Sequence, residues 1–365
     1  MSTEAEFLWY IPNQIDAGHR GDVVSDDHNT LDTLTSHAKA LETYGWKGAL
    51  IGTGWGRPDT FTVATALTAR TTTFEPLVAI RPGYWRPANF ASAAATLDHL
   101  TGGRVRINIV SGQDNLAAYG DAEGDQAQRY ARTKEFMRLT RRLWTEEDVT
   151  FEGDYFQVKN STVVPRIRPR GERRHPRLYF GGASAAAERV SATESDVQLF
   201  WGEPLDDIAE RIDRLRTLSR DLDRDLPPLE FGLRITTLVR DTTEEAWADA
   251  QAKVEQMASK AVDRDHRRWP AVGQQRLLDL QARGDVLDDN LYTAPGRVGG
   301  GGAGTTWLVG SAEDVANALR KYAALGITQF VLSDTPYLAE IKRQGEQLLP
   351  LFRAPQKALL DARVA

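Results

Sequence analysis

Short apolar runs alternate along this chain with longer segments in which apolar residues return every three or four positions. Residues 7–12 form a compact aromatic and aliphatic run; then Leu31, Leu34, His37, Ala38 and Leu41 share one face of a helix over 30–44. The unit recurs: a run at 48–52 precedes a helix over about 58–69, 74–80 precedes 88–100, and 105–110 precedes 128–144. After Trp144 the rhythm breaks. FEGDYFQVKN, with its Gly-Asp centre, predicts a β-hairpin, and RIRPRGERRHPR is a basic, proline-rich loop, which makes 145–176 an insertion after the fourth helix. The rhythm resumes with a strand over 177–180, a helix opened by Ser184, a strand over 197–201, a helix over 204–219 and a longer strand over 229–239. Thr242 and Glu245 have capping-box spacing for the next helix. A helix over 311–325, with Gly326 as its C-cap, leads to a last strand over 329–333.

Eight strands alternating with helices predict an α/β fold, a TIM (β/α)8 barrel with insertions, in a single domain over 1–365; a doubly wound open sheet is the alternative. A barrel places its chemistry at the C-terminal ends of the strands. That restricts the candidates to 12–14, 53–57, 81–85, 108–113, 181–184, 201–203, 234–237 and 333–337. Residues 257–304 stand outside the rhythm and end in GRVGGGGAGTTW. Four successive glycines hold no single conformation without a partner, so this segment reads as a mobile lid after the seventh strand or as a plain connector.

Composition narrows the chemistry. With 41% hydrophobic and 26% charged residues the chain is an ordinary globular protein, and a net charge of −6 supplies no basic field for nucleic acid. No run of 18 uncharged apolar residues exists and the start MSTEAEF is acidic, so the expectation is a cytoplasmic protein with no membrane span. The absence of cysteine excludes disulfides, thiolate metal sites and thiol nucleophiles. His19, His28, His37, His99, His175 and His266 all avoid the predicted strand ends, and no metal-ligand spacing or serine triad is evident. The strand ends carry instead Trp55, Arg57, Arg81, Trp85, Asn108, Gln113, Trp201, Arg234 and Tyr337. Arginines grouped there suit an anionic ligand, and tryptophans offer flat apolar walls. LYFGGAS, an apolar run ending in a Gly-Gly turn and a helix-opening Ser, is the layout of a phosphate-binding turn. The combination suggests a cofactor enzyme whose protein part orients and polarises.

The segments ATLDHLTGGRVRINIVSG (95–112), QRYARTKEF (128–136), LYFGGAS (178–184), WGEP (201–204), FGLR (231–234), VGQQR (272–276), GGAGT (301–305) and ALGITQFVLS (324–333) resemble, in order, those of the bacterial luciferase-like flavin monooxygenases. Within that family they are most similar to the two-component alkanesulfonate monooxygenases. The resemblance implies a barrel that takes reduced FMN from a separate NAD(P)H-dependent flavin reductase, uses O2, and oxidises an organosulfonate at the carbon bearing sulfur to give an aldehyde and sulfite. It also implies a homodimer or homotetramer. By position it puts Asn108 and Ser111 beside the isoalloxazine ring, Tyr130, Gly182 and Ser184 on the FMN phosphate, and Arg234 on the sulfonate, with Arg297 as a lid arginine. Arg57, with Trp55 and Trp201 as walls, completes the expected substrate site, and Arg234, Arg57 and Trp201 are the candidate catalytic residues. The chain departs from the alkanesulfonate pattern where Arg57 replaces a Cys, Thr236 a His, Thr335 a Tyr and Gln14 an early His. These changes keep the anion site but alter the organic part of the substrate or the proton-transfer scheme, which favours a bulkier polar sulfonate such as a sulfosugar, or a sulfone. The alternatives are a deazaflavin (F420)-dependent oxidoreductase of the same fold and a non-catalytic flavin-binding protein.

Overall fold

The computed structural model describes residues 5–11, 13, 27, 29–111, 116–121, 124–171, 173–261, 272–298 and 305–354. The elements run β1 (Glu6–Ile11), α1 (Leu31–Thr43), β2 (Gly48–Ile51), α2 (Thr60–Thr68), β3 (Glu75–Ile80), α3 (Pro87–Thr101), β4 (Arg106–Ile109) and α4 (Gln126–Thr145). A hairpin, β5 (Val149–Glu152) and β6 (Gln157–Ser161), interrupts them before β7 (Leu178–Phe180), α5 (Ala185–Glu194), β8 (Val197–Trp201), α6 (Leu205–Asp221), β9 (Glu230–Arg240) and α7 (Thr243–Ala261). Then come α8 (Val272–Arg283), β10 (Val286–Leu287), β11 (Leu291–Tyr292), α9 (Pro295–Val298), β12 (Trp307–Ser311), α10 (Ala312–Leu325), β13 (Ile327–Ser333) and α11 (Tyr337–Arg353).

Among the described residues, β1, β2, β3, β4, β7, β8, β9 and β13 are parallel and close into a barrel, because β9 pairs with both β8 and β13. The predicted TIM barrel, its eight strands and the hairpin after α4 are all present, and the open sheet is excluded. The capping box closes as expected: Thr242 Oγ1 accepts from the Glu245 N–H at 3.2 Å, and Glu245 Oε2 accepts from the Thr242 N–H at 3.2 Å. Gly326 C-caps α10 with φ 109°, a conformation that favours glycine. The segment read as outside the rhythm contains α8 and two antiparallel strands, and its sequel β12 extends the sheet from the long β9, Trp307 pairing with Thr236. Residues 262–271 and 299–304 of the expected lid lie outside the described residues. No described helix is long and apolar enough to cross a membrane.

Side chains alternate across each strand, and the two faces have different partners. Phe7, Trp9 and Ile11 pack outward into the core under the helices, whereas Leu8, Tyr10, Leu50, Leu77, Ala79, Tyr179, Val197, Leu199 and Val331 fill the barrel. Below this apolar layer lies a polar floor. Arg106, 7% exposed, donates from Nη1 to Glu6 Oε2 (2.8 Å) and the Tyr179 hydroxyl (2.8 Å), and from Nε to Glu75 Oε2 (2.7 Å). The basic loop closes the same end: Arg177 pairs with Glu6 (2.9 Å) and Glu230 (3.3 Å), and Arg173 with Glu230 (2.9 Å). Burial alone would raise the Glu6 carboxyl, but the Arg106 and Arg177 guanidiniums override it and hold it at about 2.

Removing one partner from such a buried group strands the others. Arg106→Leu is expected to lower unfolding free energy by roughly 3–5 kcal/mol. Because the Glu6 carboxyl is depressed, its contribution is complete above its ordinary value of 4.5 and fades as pH falls toward 2. Urea midpoints against pH should therefore show an acid limb in the parent and a flatter one in the variant; equal curves would contradict the role given to the floor.

Candidate active site

The register of the strands assembles the opposite, C-terminal end. Trp201 pairs with Arg234, Arg234 with Val331, and Thr236 with Ser333, so interior-facing positions of β8, β9 and β13 meet at the mouth. Arg234 is 4% exposed. Its Nη2 donates to Ser333 Oγ at 3.0 Å, its Nη1 to the Ile235 carbonyl at 2.9 Å, and its guanidinium lies over the Tyr10 ring at 4.6 Å. Thr236 Oγ1 stands 3.2 Å from Thr305 Oγ1 and 3.5 Å from Ser333 Oγ, so a chain of three hydroxyls runs on from the arginine through Ser333. The loop after Ser333 is held from outside the barrel. Lys253 of α7 donates to Asp334 Oδ1 (3.0 Å) and the Thr335 carbonyl (2.7 Å), while Arg240 bridges Asp334 (3.1 Å) and Glu340 (3.2 Å). Burial and the neighbouring Asp334 push the Glu340 carboxyl up to about 7, against the pull of Arg240, Arg343 and Lys253.

The Gly-Gly turn sits where β7 gives way to α5. Ser184 caps that helix, its Oγ accepting from the Ala187 N–H at 3.2 Å. Gly182 admits no side chain: a Cβ there would lie 2.4 Å from Ala187 Cβ and 3.8 Å from the Tyr130 hydroxyl. Tyr130, Gly182 and Ser184 are thereby brought together, each half-buried and open to a ligand. Asn108 is buried at the end of β4 with Oδ1 lacking a hydrogen-bond partner, and Ser111 shares a hydrogen bond with Thr133 of α4. A glycine cradle at a helix N-terminus with a phenol and a serine beside it fits a phosphomonoester, and an orphaned amide oxygen nearby fits a ring N–H donor. These residues therefore suit the FMN that the resemblance implies.

Other candidates fall elsewhere. Trp55, 53% exposed, stands at the rim with its ring edge-on to Tyr119 (4.7 Å), and Tyr119 stacks on Tyr84. Arg57 is half-buried in the same connection, its N–H donating to the Gly54 carbonyl. Trp85 packs against Phe61. Arg297 is on the surface, 3.8 Å from Asp285, and does not join the buried group around Arg234. His37 is buried in α1, where desolvation lowers it to about 4, and His175 stacks on Trp144. Gln14, Gln113, His19, His28 and His266 lie outside the described residues. Sequence reasoning missed Tyr10 and Thr305, and it missed Arg129, which lines a small pocket with Arg81, Ser111 and Thr133 and keeps a buried Nε without a partner. It also missed Arg211. The signal was available: Arg211 occupies the apolar stripe Ile208, Ile212, Leu215 of α6, where a charge demands a buried acid.

Residues 5–329 match the sequence model of a family described as luciferase-like monooxygenase. Among solved structures the chain is similar to EDTA monooxygenase from Chelativorans sp. BNC1 (16% identity, 96% of this chain and 93% of that one, TM-score 0.76). It is also similar to a riboflavin lyase with modified FMN and riboflavin bound (20%, 96% and 91%, TM-score 0.75). A third similar structure is an F420-dependent secondary alcohol dehydrogenase with an F420–acetone adduct (16%, 96% and 100%, TM-score 0.68). At these identities the likeness shows the shared fold.

Two outcomes check the geometry. Gly182→Ala forces two methyl groups into one space and should lower stability by roughly 1–3 kcal/mol, read by urea denaturation, whereas Gly102→Ala meets nothing within 4 Å and is strained only through its φ of 69°. Since the Glu340 carboxyl is raised, its contribution is complete below its ordinary 4.5 and lost as pH rises through about 7. Glu340→Gln should remove that decline in the urea midpoint.

Proposed function

The chain belongs to the luciferase-like monooxygenase family, and from that premise we propose that it is a reduced-FMN- and O2-dependent monooxygenase that cleaves the C–S bond of a polar organosulfonate. The observation that carries this reading is Arg234, an arginine buried at the barrel mouth between Tyr10, Ser333 and Trp201. A guanidinium so placed presents a planar donor fork to a sulfonate. The three hydroxyls of Thr236, Thr305 and Ser333 suit a hydroxylated organic part better than a bare alkyl chain.

Tyr130, Gly182 and Ser184 would hold the flavin phosphate, with Asn108 and Ser111 beside the ring. Bound reduced flavin supplies the two electrons that, with O2, oxidise the carbon bearing sulfur. Sulfonate, reduced FMN and O2 give an aldehyde, sulfite, FMN and water. Arg234 binds and orients the anion and stabilises the charge that leaves with sulfite, Trp201 beside it excludes water from the reacting carbon, and Arg57 and Trp55 at the rim reach only the outer end of a bulky substrate. Arg297 joins this site only by exchanging Asp285 for the substrate. The flavin arrives reduced from a separate NAD(P)H-dependent reductase. The likeness to an F420-dependent alcohol dehydrogenase supports a second reading, hydride transfer with a deazaflavin and no sulfur chemistry.

A sulfite-release screen under air, with FMN, a flavin reductase and NADH, separates the two. Sulfite formed in step with a carbonyl product, faster from polar sulfonates than from linear alkanesulfonates or sulfones, is the expected result. Oxidation of an alcohol with F420 in the absence of O2, with no sulfite, would replace this reading by the second. Arg234→Ala should cost roughly 2–5 kcal/mol in kcat/KM, about thirtyfold or more, while the dissociation constant for FMN stays within about threefold. Loss of flavin binding instead would remove Arg234 from the anion site.

A further inference from the structure

Behind the Gly-Gly turn lies a charge that the reaction does not use. Arg211, 2% exposed, spreads its guanidinium over three acceptors: Nε donates to Glu188 Oε1 (3.1 Å), Nη1 to Glu203 Oε1 (2.5 Å) and Nη2 to the carbonyl of Gly182 (2.9 Å). The Phe200 ring supports its face at 4.7 Å. The Gly182 carbonyl also accepts from Gln198 Nε2 at 3.3 Å. Gln198 is fully buried, and its Oε1 has no partner. An amide that leaves a buried acceptor unsatisfied is costly in a core, and an apolar residue would serve packing better.

We infer that Arg211 and Gln198 form a clamp that fixes the Gly182–Ala183 peptide plane and so aims the Ala183 N–H at the flavin phosphate; both are positioning residues. The proposal rests on the phosphate reading of this turn. Its geometry follows from the peptide itself. The cis bonds among the described residues are Val164–Pro165 and Thr335–Pro336, so the Gly182–Ala183 bond is trans, and its C=O and N–H point in opposite directions. The carbonyl side is filled by the buried Arg211 and Gln198, which leaves the N–H facing the open side of the turn at the N-terminus of α5. The turn cannot slide away, since Gly182 is already packed against Ala187. Without the clamp the peptide is free to rotate its carbonyl toward the ligand, where its partially negative oxygen repels a phosphate.

Arginine is required by the shape of the task. Its planar fork reaches two carboxylates and a carbonyl at once, which a lysine ammonium on a flexible stem does not reproduce. Glu188 and Glu203 are themselves tied outward: Glu188 Oε2 to Arg214 (2.9 Å), Glu203 Oε2 to Arg276 of α8 (2.6 Å), and the Glu203 carbonyl to the Tyr322 hydroxyl (2.7 Å). The clamp is thus anchored to α5, α8 and α10, and it is held in one position before any ligand arrives.

The test compares oxidised FMN with riboflavin, which lacks the phosphate, by quenching of flavin fluorescence. The parent should bind FMN more tightly than riboflavin. Gln198→Leu should weaken FMN about fivefold, one hydrogen bond's worth, and Arg211→Lys about tenfold or more, each leaving riboflavin within about twofold. Equal weakening of both flavins, or unchanged FMN binding, overturns the clamp. Gln198→Leu removes an unsatisfied acceptor and is expected to fold at least as stably as the parent, so it decides the matter if Arg211→Lys does not fold. Selective loss of FMN in Tyr130→Phe and Ser184→Ala with none in Gln198→Leu and Arg211→Lys defeats the clamp alone. No preference for FMN in the parent defeats the phosphate reading and the clamp together.

Discussion

One guanidinium sets the terms for the rest of this molecule. Arg106 lies largely buried inside the barrel, and its partners come from β1, β3, β7 and β13 as Glu6, Glu75, Tyr179 and Gln329. A charge in that position is tolerated only when all of them arrive in register. A slip of one residue in any of these strands would turn its interior set outward and leave the arginine without a partner. Hydrophobic burial drives the collapse, but it is indifferent to which apolar residue fills which place. The ionic floor is not, and it selects one closure of eight strands from the many that would bury as much surface.

The mouth follows from the floor. Once Glu6 and Gln329 are fixed at the N-terminal end, the alternation of side chains determines what faces inward two and four residues later: Leu8 and Tyr10 on β1, Val331 and Ser333 on β13. The same step on β9 carries the interior face from Glu230 through Gly232 to Arg234 and Thr236. Arg234 therefore meets Tyr10, Trp201 and Ser333 because each is at a set height above a common base. The arginine site is precise because Arg234, Tyr10 and Ser333 stand on strands, while the connections after them supply the Gly-Gly turn, Ser111, Thr305 and, at the rim, Trp55 and Arg57.

Much of this was legible in the chain. Periodicity located the eight barrel strands and the hairpin, and the Gly-Gly-Ala-Ser turn announced itself through the two features that physics demands of it, a glycine where no Cβ fits and a helix cap. What escaped has a common cause. The partners of Arg106 are 100 and 223 residues away in Glu6 and Gln329, and no local pattern couples them. β12 was lost because Trp307–Ser311 directly follows the run of glycines that reads as a lid. Arg297, placed with the substrate by resemblance, pairs with Asp285 because the chain around it folds back as β10 and β11. Arg211 was readable from its place in an apolar stripe, and that kind of exception within a regular pattern is where buried chemistry shows first.

The first and last barrel strands are neighbours. β1 pairs with β13, Glu6 opposite Gln329, so the two edges that complete the cylinder are made at opposite ends of the chain. During synthesis, residues 6–11 emerge early and then wait, with one edge unpaired, until residue 333 has been made. Through that interval Glu6, Glu75 and Arg106 can find each other, but the cylinder that would exclude water from them does not exist. Folding of this protein is for that reason a late event in the life of the nascent chain, governed by sequence separation more than by local preference. Without β13 neither β1 nor β9 has its closing partner, and Arg106 loses Gln329 and Arg234 loses Ser333 together.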